Sequence, residues 1–305
     1  MKTNLVRQLV FPLVAAMIWG TAFVAQSVCA PFVPPFAFNA LRSVIAVAFL
    51  LPVSRLFDAA ARKRGEPPPK TDRKALLLGG VLCGIFLSAA ANLQQAGMSD
   101  ASAGKAGFIT AFYVVLVPVF GLFLKKRAGA QVWAGVVLAL GGLYLLCIKA
   151  GEGFVLQTSD IYLMLCAVAF AMQIMVIDHF VQRVDGIRLS AVQFAVTALI
   201  SAVLALVFET VDWDGVWRCA LPILYMGVMS SGVAYTLQIL SQKGSNPAVV
   251  SLLFSLESVF SVLAGAVILG DRLTGREYLG CALMFAAVVL AQIPRRKHLA
   301  SAEKV

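Results

Sequence analysis

Ten long apolar runs follow one another in this chain, most with only short connections between them, and nothing constrains the fold more. They are Leu9–Cys29, Phe36–Phe57, Ala75–Gly97, Gly104–Leu124, Val132–Ile148, Ile161–Phe180, Leu189–Phe208, Cys219–Leu240, Ala248–Leu269 and Tyr278–Ile293. A helix needs about 20 apolar residues, with a range of about 17–25, to cross the hydrocarbon of a bilayer. Lipid offers no hydrogen bonds, so each run must satisfy its own backbone, and the α-helix does that. Only 13% of the residues are charged against 60% hydrophobic, whereas soluble domains carry about a quarter charged. The predicted class is an all-α integral membrane protein. The first run is longer than the roughly 7–15 residues of a signal-peptide core, so it is read as a span that stays.

The placement of lysine and arginine predicts the orientation. One side collects Lys2, Arg7, Arg55, Arg62, Lys63, Arg64, Lys70, Arg73, Lys74, Lys125, Lys126, Arg127, Arg183, Arg188, Lys243, Arg295, Arg296, Lys297 and Lys304. The other keeps Lys149, Arg218, Arg272 and Arg276. Both termini are therefore expected in the cytoplasm, in a bacterial inner membrane. The net charge of +10 is spent on these short clusters and not on a nucleic-acid surface. The six cysteines form no CxxC pair and are read as small core hydrophobes. With no Walker A, HExxH or GxSxG motif, ATP drive, hydrolysis, a metal and a cofactor all lack support, and an enzyme is not expected.

The chain also reads as a duplication. The segment "LQQAGM" at Leu93–Met98 falls opposite "LQILSQ" at Leu237–Gln242, and Gly135 falls opposite Gly280. Five spans is an odd number, so the second copy must lie upside down relative to the first. The loop charges agree: the basic stretch "ARKRGEPPPKTDRK" corresponds to the acidic "ETVDWDGVWR". The expected organisation is one five-helix repeat over residues 9–148, an inverted one over 161–293, and a cytoplasmic tail at 294–305. Inverted repeats of this kind place a transport site near the midplane between the halves.

"AMIWGTAF" in the first run, Arg42 in "NALRSVIA", and the stretch from "LFSLESVF" through "MFAAVVLA" resemble EamA-type members of the drug/metabolite transporter superfamily. The resemblance covers about residues 9–293 and implies ten helices in two inverted repeats around a central cavity. It further implies transport without naming a cargo, with export ahead of import; the expected function is secondary transport of a small polar or amphipathic metabolite such as an amino acid. The family's usual "LEP" is here Leu256-Glu257-Ser258, its usual Glu after the next glycine is Asp271, and Arg127 stands at the matching place of the first half. A lipid translocase is the alternative, and a passive channel a more distant one, since no selectivity loop is present. Expected partners are the small-molecule substrate and the lipid bilayer, with the protein a monomer or homodimer.

Among the forty Asp, Glu, Lys and Arg residues, only Arg42, Lys105 and Glu257 fall well inside the runs. An ionisable group at that depth marks a site, because it must face protein or water. On a continuous helical wheel, Leu252, Leu253, Leu256, Val259, Phe260, Leu263 and Val267 share an apolar arc. Ser251, Ser255, Ser258 and Ser261 oppose it, with Glu257 at the edge. Glu257 is thus either an acid beside the cavity that takes up a proton or contacts a cationic substrate group, or a structural acid hydrogen-bonded to a neighbouring helix. Arg42 and Lys105 suit a carboxylate or phosphate group, although both could instead snorkel to headgroups. Neutral polar stripes add Trp19, Phe23 and Gln26, then Ser88, Asn92 and Gln95, then Tyr235, Gln238 and Gln242. Their alternative role is hydrogen-bonded glue between helices. The candidate binding set is Trp19, Arg42, Asn92, Gln95, Lys105, Tyr235 and Gln238, with Glu257 as the acid. Pro118 and Pro222 are expected to kink their helices, and Asp178-His179 to be a solvated pair at a helix end.

Overall fold

Helix signals in the sequence set most of the starts. In the computed structural model, which describes residues 6–65, 71–98, 103–126, 128–148, 157–268 and 273–292, a short π-helical turn at Val6–Val10 leads into α1 (Phe11–Cys29). Pro35 opens α2 (Pro35–Lys63), where the missing N–H costs nothing. Asp72 caps α3 (Arg73–Gly97) by accepting from the amides of Lys74 and Ala75. Then follow α4 (Ala103–Thr110), α5 (Tyr113–Phe123) and α6 (Ala130–Cys147). Gln157 and Asp160 form a reciprocal capping box at the start of α7 (Thr158–Phe180), and Asp185 caps α8 (Gly186–Phe208). The short helices α9 (Trp213–Arg218) and α10 (Ala220–Tyr225) lead through a π-helical stretch, Met226–Ala234, into α11 (Tyr235–Gln242). Asn246 caps α12 (Pro247–Phe254), and α13 (Glu257–Ile268) and α14 (Gly275–Gln292) complete the described chain.

Among the described residues the structure is helical without strands, and eight helices are long and apolar enough to cross a membrane, with Ala130–Leu146 a shorter apolar one. The tail and the charges Arg127, Lys149, Asp271 and Arg272 lie outside the described residues.

The fourth and ninth runs differ from the expected continuous helices. Each is split by a two-residue turn, at 111–112 and at 255–256. Four bonds around the first turn have counterparts at the second. Ala111 N–H donates to Gly107 O as Ser255 donates to Ser251, and Phe112 donates to Ile109 as Leu256 donates to Leu253. Val114 donates to Ala111 as Ser258 donates to Ser255, and Leu116 donates to Phe112 as Phe260 donates to Leu256. Both turns thus tighten locally to three-residue bonds, a form that commonly marks a functional hinge. In the ninth run the Ser251 and Ser255 hydroxyls bond back to the Ala248 and Leu252 carbonyls, which bends helices. Pro118 lies inside α5, beyond the break of the fourth run.

Packing repeats between the halves as well. α6 lies against α14 at a glycine crossing, where a Cβ on Gly142 or Gly280 would stand 2.9 or 2.8 Å from the other's carbonyl oxygen. α2 lies along α8, α3 packs on α7 and α8, and α1 packs on α13 as α7 packs on α4 and α5. α4 touches α13 and α5 touches α12, so the broken helices cross near their breaks.

The break also changes which residues face out. Leu252, Leu253, Leu256 and Val259 of the apolar arc are fully packed, and only Leu263 and Val267 beyond the break are exposed. A second correction concerns Asp178. It is buried and ion-paired with Lys126, which follows α5, so it tethers α7 to the end of the fourth run, while His179 beside it is exposed as expected.

Candidate functional site

The crossing of the broken helices forms one wall of a cavity. α1 contributes Trp19, Ala22, Phe23 and Gln26, α2 contributes Arg42, and α3 contributes Gln94. Thr110 and Tyr113 come from either side of the first break, Phe254 and Glu257 from either side of the second. Phe170 and Ile174 of α7, Ser230 of the π-helical stretch, and Tyr235 and Gln238 of α11 close the ring. π-helical turns are frequent at functional sites because the extra residue re-aims the side chains that follow. Here Tyr235 and Gln238 follow directly.

The cavity has an aromatic floor. Trp19 meets Tyr235 with ring centroids 4.9 Å apart and Phe254 at 5.3 Å, both edge-on. Such pairs add about 0.5–1.5 kcal/mol beyond area burial and fix the rings in place. Around that floor stand polar atoms that lack protein partners. Trp19 Nε1, Arg42 Nε, Thr110 Oγ1 and Gln238 Oε1 are buried without a hydrogen bond. Gln238 is oriented from behind: its Nε2 donates to Gln173 Oε1 at 3.2 Å, and Gln173 Nε2 donates to Gln193 Oε1 at 3.2 Å. The amide oxygen is thereby left toward the cavity.

Two ionisable groups of opposite sign share this space. Arg42 is 3% exposed, lies beside the Tyr235 hydroxyl, and has its guanidinium 5.9 Å from the Phe38 ring centroid. No carboxylate among the described residues pairs with it. Glu257 is 7% exposed, and its Oε1 accepts a hydrogen bond from the Tyr113 hydroxyl at 3.0 Å. Glu257 therefore lines the cavity and is hydrogen-bonded at once, so the two roles the sequence suggests for it are not exclusive.

Of the residues singled out from sequence, Trp19, Arg42, Tyr235, Gln238 and Glu257 meet here. Asn92 does not. It accepts from Asn39 at 2.9 Å and donates to Ser201 at 2.9 Å and Ser88 at 3.2 Å, joining α2, α3 and α8 as glue. Gln95 is buried with neither amide atom partnered, but it does not line the cavity. Lys105 sits in the first turn of α4, and its side chain lies outside the described residues. Gln242 donates to the Ile174 carbonyl at 3.1 Å, again as glue.

Gln94, Thr110, Tyr113, Phe170 and Ser230 were not singled out. For two of them a signal was present. The register that sets "LQQAGM" against "LQILSQ" pairs Gln94 with Gln238, and the same spacing pairs Tyr113 with Glu257.

Comparison with known proteins agrees with this architecture. The pattern of the EamA-like transporter family matches residues 7–148 and 157–292. An uncharacterized transporter of Archaeoglobus fulgidus is 29% identical over 279 residues, covering 91% of this chain and 83% of that protein. The uncharacterized transporter YwfM of Bacillus subtilis is 26% identical and covers 96% of both. A chloroplastic WAT1-related protein of Arabidopsis thaliana is 25% identical over 90% of this chain and 67% of its own length. A crystal structure superposes with a TM-score of 0.76 at 22% identity, covering 94% of this chain and 97% of that one.

Proposed function

Because the chain belongs to the EamA-like transporter family, we propose that it is a secondary active transporter of a small zwitterion, an α-amino acid with an apolar side chain. Alternating access would run around the cavity just described, between two inverted five-helix repeats spanning the membrane ten times. Both termini lie in the cytoplasm in this reading, and the direction is export. The drive is the proton gradient, or the solute's own gradient, with Glu257 as the coupling acid.

One observation carries the reading. A single cavity has an unpaired guanidinium on the α2 wall, a carboxyl on the α13 wall, and an aromatic floor. Arg42 offers a planar fork suited to a carboxylate. Glu257 and Gln238 Oε1 accept from an ammonium group, and Trp19 with Phe254 receives an apolar side chain. Unpartnered buried polar atoms cost about 1–3 kcal/mol each, and a zwitterion of matching shape removes that cost. The matched breaks and the exchangeable packing of the halves support the inverted repeat.

The test starts with purified protein and thermal shifts against the amino acids, their amine-free acids and their carboxyl-free amines. A zwitterion should stabilise more than either half-molecule, as binding to the folded state requires. Saturable counterflow of the same zwitterion in proteoliposomes should follow. Stabilisation by none of them, with lipid scrambling in the same vesicles, would replace this reading with a lipid translocase. Unsaturable conductance would replace it with a channel.

A further inference from the structure

The two breaks share their backbone bonds but not their chemistry, and the first residue after each is the informative one. Tyr113 follows the first break and Glu257 the second, 144 residues later, and the two side chains bond to each other. Two carboxylates at those places would repel. A phenol facing a carboxyl gives one donor and one acceptor, so the duplicated frame closes on itself.

We propose that Tyr113 is a positioning residue for Glu257, and that their hydrogen bond latches the two broken helices together until a cationic group in the cavity takes the carboxyl from the phenol. The proposal rests on the transporter reading for its purpose, not for its geometry. Where α4 faces α13 the helices touch lightly: a Cβ on Gly107 of α4 would meet only Ser258 Oγ of α13, at 4.0 Å. α5 and α12 pack through apolar side chains of the common core, so the bond is a polar tie added to that packing. The tethers at other points lie far along the chain, as with Lys126 and Asp178 beyond α5.

The groups facing Glu257 explain why a cation would displace the phenol. They are Tyr113 of α5, which bonds it, and Tyr235 of α11, which lines the same cavity beside Arg42 of α2. Among the described residues no lysine, arginine or histidine pairs with the carboxyl. Among the described residues only Oε1 is hydrogen-bonded. Only the acceptor is ionised in the phenol–carboxylate bond, whereas both partners are in an ammonium–carboxylate bond, which adds Coulomb attraction the phenol lacks. An ammonium group reaching the carboxyl therefore out-competes a phenol, and the half-helices lose their tie.

The latch is tested without transport. A cysteine placed at Thr110, in the cavity wall beside the first break, is labelled with a maleimide in nanodiscs, and site-resolved mass spectrometry separates it from the six native thiols. Tyr113→Phe, which keeps the ring, should speed labelling about tenfold or more, the order expected from losing a hydrogen bond to a charged group. Glu257→Leu should do the same, and the double variant should be no faster than either. Glu257→Gln keeps an acceptor for the phenol and should label like the parent. Millimolar butylammonium should accelerate labelling of the parent and not of Glu257→Gln. Labelling that stays within twofold in Tyr113→Phe, or a double variant whose acceleration multiplies the singles, overturns the latch. Unchanged labelling with saturable zwitterion flux overturns the latch alone, whereas the expected labelling without flux overturns the transporter reading alone.

Discussion

Set side by side, the first-half and second-half walls of the cavity occupy the same frame and carry different charge. Gln94 and Gln238, Thr110 and Phe254, and Tyr113 and Glu257 are each 144 residues apart, and all six line the cavity. Arg42 also has a counterpart. A Cβ on Gly227 would meet the Arg42 carbonyl at 3.0 Å, and a Cβ on Gly84 would meet the Gln193 carbonyl at 2.8 Å. Arg42 on α2 thus stands where Gln193 stands on α8. Each half contributes one ionisable group, and in each case the matching place in the other half is neutral. On the inverted-repeat reading, duplication supplies the hollow and its breaks, and divergence of a few residues gives the hollow a positive and a negative wall.

The largest effect should come from neutralising the acidic wall. Glu257→Gln keeps shape and the bond from Tyr113, yet should lower zwitterion transport about a hundredfold, the upper range for a lost charged hydrogen bond. It should also flatten the pH profile if the acid couples protons. A normal, pH-dependent rate in flux assays would leave Glu257 only its structural bond. Arg42→Lys retains the charge but not the fork, and should raise KM by about tenfold with little change in kcat. An unchanged KM would move the carboxylate partner elsewhere.

Tyr113→Phe should cost less than either, about a tenfold change in transport rate, because it removes a neutral donor and leaves both charges. The smallest effect should be Ser258→Pro, which gives the ninth run its family-typical sequence. Proline at the second residue of α13 loses the Ser258 N–H bond to Ser255 O, worth about 1 kcal/mol. It gains a preset backbone angle at a helix start where proline is tolerated. Transport within about twofold of the parent would show that the break is set by the duplicated frame and not by proline. A large loss would show that the serine bond holds the break together.

How much of this was legible in the sequence follows from the range over which each feature is determined. Apolar runs, caps and helix starts are local, and helices cover all ten runs. Five of the eight candidate site residues meet at the cavity because an ionisable or aromatic group deep in an apolar run has few places to go. The errors arose where a continuous helix was assumed. A wheel drawn through Ser255–Leu256 put Leu252 and Leu256 on one apolar arc with Leu263 and Val267, but the turn there separates them, the first two in the core and the last two exposed. Asn92 does not reach the central cavity; Ser201, 109 residues away, holds it between helices, where it lines a separate pocket. Tyr113 was hidden for the opposite reason. Nothing near it in sequence is unusual, and only the repeat spacing shows it opposite an acid.

The central claim is that two inverted copies share this cavity, and side-specific labelling tests it most directly. Ala130, at the start of α6, and Gly275, at the start of α14, are both exposed and occupy matching places in the two halves. With a membrane-impermeant maleimide on intact cells, Ala130→Cys should stay unlabelled until the membrane is opened, while Gly275→Cys should label from outside. Labelling of both cysteines from the same side would mean that the copies run parallel, and the shared cavity with its two charged walls would not survive it.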